Sequence, residues 1–186
     1  MAQPISSTKF TYEDYTLFPD DGNRHELIDG DHYVTPAPRT KHQKISGTLH
    51  ISLGSDVQKT KCGQLLAAPT DVVLSDFDVI QPDLLYISSG RTTIITEENI
   101  QGAPDLVVEI LSDGSRKTDE IIQRKLYERY KIPECWIIDP ELETVKIYRL
   151  SDQGYVRSAE LSLESNSTLT TPLLPNWELS LQQLFE

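Results

Sequence analysis

Cysteine is scarce, and what there is makes no motif. The chain has two cysteines in 186 residues, Cys62 and Cys135, too far apart in sequence for any zinc-ligand spacing, so both read as idle or buried thiols. Long apolar runs are missing as well. No stretch approaches the roughly 18 consecutive apolar residues of a membrane span, and the opening MAQPISSTKF has neither the basic nor the apolar region of a signal peptide. A cytoplasmic protein with no membrane partner is the expectation. Basic residues are in deficit, with 17 Lys and Arg against 29 Asp and Glu for a net charge of −12. That deficit excludes a protein that grips nucleic acid through bulk electrostatics. A phosphate-bearing ligand would have to be met by a local basic patch or through metal ions. Internal repeats, low-complexity tracts and linker-like stretches are absent too, so with 38% hydrophobic and 25% charged residues the chain reads as one domain spanning 1–186.

What is there is an ordered series of helix and strand signals. The segment from Phe10 to Phe18 reads as a short helix capped by Thr11, and HELIDGDHYV as a hairpin turning at Asp29-Gly30. Pro36 and Pro38 then break the chain. From Thr40 to about Lys59, Ile45, Leu49, Leu53 and Val57 recur every fourth residue as the apolar stripe of a helix, with His42 on the same face. Three strand-like segments follow, Gln64 to Leu74, Pro82 to Ser88 and Asp105 to Ser112. A second helix is expected from about Ser115 to Lys131, ending before Pro133. After it, ECWIIDP and TVKIYRL read as two strands, and the tail from Leu173 to Phe185 as a proline-marked turn and a short packed helix. The order gives an α/β arrangement on one mixed sheet.

Within that frame Glu109 is out of place. It stands in the middle of LVVEIL, an apolar strand that reads as buried on both faces. Alternation puts Asp105, Val107, Glu109 and Leu111 on one face and Leu106, Val108 and Ile110 on the other. A lone buried carboxylate costs several kcal/mol, so Glu109 must be protonated, paired with a cation, or bound to a metal. Asp83 follows Pro82 at the start of the neighbouring strand, where two acids can converge. Two carboxylates with a backbone carbonyl and water make a hard oxygen site suited to Mg²⁺ or Mn²⁺. On the second helix, Ile121, Ile122, Leu126 and Tyr130 mark an inward stripe that carries Lys125 on or beside it, where a helix crossing the sheet could bring its amine over Glu109.

The series ELIDG (26–30), QPDLLYIS (81–88), APDLVVEILS (103–112), Lys125 followed by Tyr127 or Tyr130, IPECWIIDPE and LLPNWELSL resembles the Uma-type "putative restriction endonuclease" family of the PD-(D/E)XK nuclease superfamily. The likeness runs from about Tyr12 to Phe185, and its weight comes from several motifs in order. It implies a restriction-endonuclease-like core with a central mixed β-sheet flanked by helices, and an active site at Asp83 and Glu109. The superfamily pattern sets a lysine two residues after the acid, where this chain has Leu111; the resemblance implies Lys125 as its substitute. Glu26, the acid of ELIDG, is a further candidate ligand.

The expected chemistry is metal-dependent hydrolysis of nucleic-acid phosphodiesters, with DNA the expected substrate. Asp83, Glu109 and the Ile110 carbonyl would hold Mg²⁺ or Mn²⁺, and Lys125 would position water or neutralise charge on the phosphate. His42 and Gln81 are candidates for orienting substrate, and Arg39, Lys41 and Lys44 form the best local basic patch. The resemblance also suggests a homodimer. Two other readings stay open: a non-catalytic nucleic-acid or protein-binding module on a degenerate nuclease fold, and a metal-dependent phosphoesterase acting on a small substrate.

Overall fold

Local rules begin the chain as expected. In the computed structural model, which describes residues 8–112 and 118–186, helix α1 (Tyr12–Tyr15) starts at a capping box. The Asp14 amide donates to the Thr11 hydroxyl, and the Thr11 amide donates to the Asp14 carboxylate. Strands β1 (Arg24–Ile28) and β2 (Asp31–Thr35) form the hairpin, with Asp29 at φ 51° and Gly30 at φ 73° in its two-residue turn. Gly30 is also pressed on the N-terminal segment, where a Cβ would lie 2.8 Å from the Lys9 Cβ and 3.0 Å from the Phe10 carbonyl oxygen. Gly30→Ala is therefore expected to lower stability by about 1–3 kcal/mol through backbone strain; a thermal melt reads this directly, and an unchanged melting temperature would contradict it.

Helix α2 (Thr40–Thr60) buries His42, Ile45, Leu49, Leu53 and Val57, the face its four-residue spacing predicts. It is followed by β3 (Gly63–Ala67), β4 (Val72–Ser75), β5 (Asp78–Ile80), β6 (Leu84–Ser88), a 3-10 turn (Ser89–Ile94), β7 (Ile100–Gln101) and β8 (Leu106–Ile110). Helix α3 (Thr118–Arg129) leads to β9 (Glu134–Asp139), β10 (Thr144–Ser151), β11 (Gly154–Ser162), β12 (Thr168–Thr171), β13 (Leu174–Ser180) and α4 (Leu181–Phe185).

The central sheet has six strands in the order β11-β10-β9-β8-β6-β3. It is mixed: β8 and β9 run parallel, with Glu109 opposite Ile137, and the other pairs are antiparallel. A parallel pair needs a crossover, which α3 supplies. The alternation read for β8 holds. Leu106, Val108 and Ile110 pack with Ile45, Leu49, Leu53 and Val57 of α2 on one face, where Trp136 stacks on Trp177 at 5.8 Å. Val107 and Leu111 pack with Leu126 and Tyr127 of α3 on the other.

Four expectations need correction. The sheet is not alone: a five-stranded sheet β2-β1-β5-β4-β7 and a two-stranded sheet β12-β13 accompany it. The segment Gln64 to Leu74 is two strands in different sheets, because the chain turns at 68–71 around Pro69. Strand β11 is additional to the two strands expected after α3; its polar, partly exposed sequence YVRSAELS suits the sheet's outer strand rather than a buried one. The tail is mainly a hairpin arm, β13, which tolerates Pro175 in a two-stranded sheet, and only its last five residues are helical. The start expected for the second helix, from Ser115, lies outside the described residues, and α3 is described from Thr118.

Candidate active site

Three acids arrive at one place for reasons of strand geometry. Period-two alternation along β1 turns Arg24, Glu26 and Ile28 to the same side. Asp83 stands just before β6. The β6–β8 register sets Leu84 opposite Val108, so its continuation brings Pro82, which has no N–H, opposite Ile110. The ladder stops there, and the Ile110 amide donates instead to Asp83 Oδ2 at 2.8 Å. Glu109 projects from the face of β8 that α3 covers. Glu26, Asp83 and Glu109 are buried, at 5%, 3% and 5% exposure, yet all three line a cleft of about 410 Å³ with Arg24, His42 and Gln123 on its walls.

The two principal acids are held in opposite ways. Burial pushes the Asp83 carboxyl up, but the hydrogen bond from His42, the Arg24 charge and the Ile110 amide outweigh it and hold it below its ordinary value. Arg24 donates to Asp83 Oδ1 at 2.8 Å, and His42 Nε2 meets Oδ2 at 3.0 Å. An ionised carboxylate only accepts, so His42 donates through Nε2; its Nδ1 is buried with no hydrogen-bond partner among the described residues. Glu109 goes the other way. Burial, then the charges of Asp83 and Glu26, push its carboxyl well above the ordinary value, against the opposing effects of a hydrogen bond from the Tyr127 hydroxyl and the charge of Arg24. The pull of Asp83, Glu109 and Glu26 holds the Arg24 guanidinium firmly protonated despite its burial. Among the described residues, Arg24 is thus a largely buried cation whose charge bears on all three carboxylates.

The other expected residues are dispersed. Lys125 is exposed and does not line the cleft. Of the stripe read for α3, Ile122, Leu126 and Tyr130 do pack inward, but Ile121 is 49% exposed and Lys125 follows it four residues on, whereas Gln123, on the cleft wall, lies four residues before the buried Tyr127. The amine is therefore carried on the outer side of the helix, and Tyr127 is what α3 brings to Glu109. Gln81 gives its backbone amide to Glu26 Oε1 at 2.8 Å, while its side-chain amide turns away to Asp71 and the Tyr15 hydroxyl. Arg39 lines the cleft and is exposed. Lys41 is 3.9 Å from Glu141, and Lys44 donates to the Glu186 backbone carbonyl, so the expected basic patch is divided. Arg24 is absent from the sequence reading, and Tyr127 enters it only within the resemblance, without a site role. The place of Arg24 two residues before Glu26 on one strand face is legible; that Tyr127 reaches Glu109 is not.

The donor chemistry fits a hard divalent cation. Carboxylate oxygens face the cleft, and Glu109 lies in an excess of negative charge that a cation would relieve. Asp83, however, has both oxygens engaged by Arg24, His42 and Ile110. No set of three or more His, Cys, Asp or Glu side chains among the described residues is arranged to hold a metal ion.

A family model described as "putative restriction endonuclease", Uma2, matches residues 12–182. The chain belongs to the Uma2 family. The fold of this Uma2 protein is also that of a solved structure, a "putative nuclease belonging to DUF820" from Anabaena variabilis ATCC 29413, with TM-score 0.80 and 22% identity over 95% of this chain and 97% of that one. No curated protein matches it. No helix among the described residues of the Uma2 chain is long and apolar enough to cross a membrane.

Proposed function

We propose that this protein is a divalent-cation-dependent nuclease that hydrolyses nucleic-acid phosphodiester bonds, with DNA as its substrate, working as a homodimer. One observation carries the reading: three buried carboxylates share a solvent-connected cleft with the largely buried Arg24, an arrangement that is expensive for folding and has no packing purpose. Asp83, Glu109 and the Ile110 carbonyl would hold Mg²⁺ or Mn²⁺, with Glu26 beside them. The cation supplies Lewis-acid polarisation of a phosphoryl oxygen and a lowered pKa for bound water. Arg24, relieved of Asp83, would neutralise charge growing on the phosphate, the task expected of Lys125 from sequence. Tyr127 fixes the Glu109 carboxyl through its hydrogen bond, and His42 fixes Asp83. Arg39, exposed on the cleft lining, would meet a flanking phosphate.

Single-turnover cleavage of a labelled oligonucleotide with Mn²⁺ tests this. Wild type should cut, Asp83→Asn should lose at least about a hundredfold of rate, and Lys125→Ala should stay within about twofold because its amine lies outside the cleft. Equal rates for wild type and Asp83→Asn would refute the proposal, and a collapse in Lys125→Ala would return the cationic role to the helix. The engagement of both Asp83 oxygens favours a second reading, a non-catalytic nucleic-acid-binding module. Tight oligonucleotide binding with no Mn²⁺-dependent cutting would select it.

A further inference from the structure

The cleft at Asp83 has a neighbour. A second cleft of about 520 Å³ shares with it the segment 35–38 together with Arg24, His42 and Asp83, so the two meet at the same carboxylate. Its lining differs in kind. Tyr12, Tyr15, Phe18 and His25 line it as one braced set: Tyr12 stacks on Tyr15 with ring centres 6.3 Å apart, and Phe18 lies 5.6 Å from Tyr15 and 5.8 Å from His25. At its polar side the Tyr15 hydroxyl and the Gln81 side-chain amide both donate to Asp71 Oδ1 at 2.7 Å. Asp20 and Asp71 also line it, so a phosphate is unwelcome there and a flat uncharged ring with hydrogen-bonding edges is not.

We propose that this second cleft is a nucleobase subsite: a single strand of nucleic acid places one unstacked base among Tyr15, Phe18 and His25 while its adjoining phosphate meets Arg24 beside Asp83. The assignment rests on the phosphodiester reading above and adds the form of the substrate. The volume accommodates one nucleoside, being well inside the usual range of about 300–1,000 Å³ for small-ligand sites. Base–aromatic stacking contributes to binding whichever base is offered, since every base has a π-face. A duplex base enters only by being flipped out of its stack. The net charge of −12 opposes a duplex, with its two phosphates per base pair, more than a single strand. The binding that the surface charge cannot provide would come from the rings.

Photo-crosslinking decides the matter. Full-length protein in EDTA, which prevents cutting, is irradiated with a mixed-sequence DNA single strand of about 12 nucleotides carrying 5-iodouracil, within the usual span of single-strand sites. Peptide mapping should place adducts on Tyr12, Tyr15, Phe18 or His25, and the unmodified single strand should compete at least about tenfold better than its blunt duplex. Adducts confined to other surfaces, no adducts, or equal competition by the duplex would overturn the subsite. Cleavage of the same strand by wild type with Mn²⁺ is measured separately. Cutting without adducts in this cleft defeats the subsite alone, whereas adducts there without cutting support it and defeat only the hydrolytic reading.

Discussion

Arg24→Ala is expected to cost more than any other single change in the site, in stability and activity together. It removes the cation 2.8 Å from Asp83 and leaves Asp83, Glu109 and Glu26 to face one another in a buried cleft. Breaking a buried pair by removing one partner costs about 3–5 kcal/mol, and the low end applies because the Arg24 side chain keeps 19% exposure. For a chain of this size that is a fall of about 6–12 °C in melting temperature. Mn²⁺ should restore part of the loss in the variant and give wild type a smaller rise, because a cation then replaces the missing charge. Hydrolysis should fall about a hundredfold or more even where the variant is folded and metal-loaded, since the donor proposed to meet the phosphate is gone. Arg24→Lys should regain much of the stability and less of the rate, because an ammonium lacks the planar fork. Melts with and without Mn²⁺, beside single-turnover rates, check all three. An Arg24→Ala protein that melts and cuts like wild type would remove Arg24 from the account.

Glu109→Gln should act in the opposite sense on stability and the same sense on function. Burial and the charges of Asp83 and Glu26 raise the Glu109 carboxyl well above its ordinary value. The folded state then holds a proton that the unfolded chain has released. Stability from this group is present at acid pH and is lost as pH rises from the ordinary glutamate range through the elevated value. Asp83, whose pKa is lowered, works the other way at lower pH, contributing stability that disappears as pH falls through its own range. In EDTA near neutral pH, Glu109→Gln should therefore melt higher than wild type. A gain of about 1–3 kcal/mol, or about 2–12 °C, is expected, and it should shrink as pH falls toward the ordinary glutamate range. The Tyr127 hydroxyl keeps an acceptor in the variant, so no buried donor is orphaned. Cutting and the Mn²⁺-induced shift should both be lost. A residue whose removal stabilises the protein while ending its activity is one retained for function. Lower stability of Glu109→Gln across the whole pH range would show instead that the acid is structural.

The sequence displayed the site's acids more plainly than its cation. Glu109 stood out because a carboxylate within LVVEIL contradicts its surroundings, and alternation alone assigned its face correctly. Asp83 was visible through Pro82, which ends the ladder where the cleft opens. The Asp29-Gly30 turn and the α2 stripe followed from φ preferences and helical period, both local rules. The phase of α3 was different: Ile121 and Ile122 are adjacent apolar residues, and a short amphipathic helix with two such neighbours allows two faces. That ambiguity leaves Lys125 on or beside the inward stripe and gives Gln123 and Tyr127 no part in the site, although Ile122, Leu126 and Tyr130 pack inward as their spacing predicts. Alternation along β1 sets Arg24 on the Glu26 face, but an arginine on a hairpin arm ordinarily points to solvent, and only tertiary packing pairs it with Asp83. The second sheet and the clefts on either side of Asp83 depend on contacts distant in sequence, such as Leu27 opposite Val79, which no local pattern encodes.

The most direct test is a crystal soaked in Mn²⁺, with anomalous scattering locating the ion. A peak between the Asp83 and Glu109 carboxylates, with Arg24 turned away from Asp83, is the predicted result. A map with no peak at these acids, and with the Arg24–Asp83 ion pair intact at saturating Mn²⁺, would contradict it.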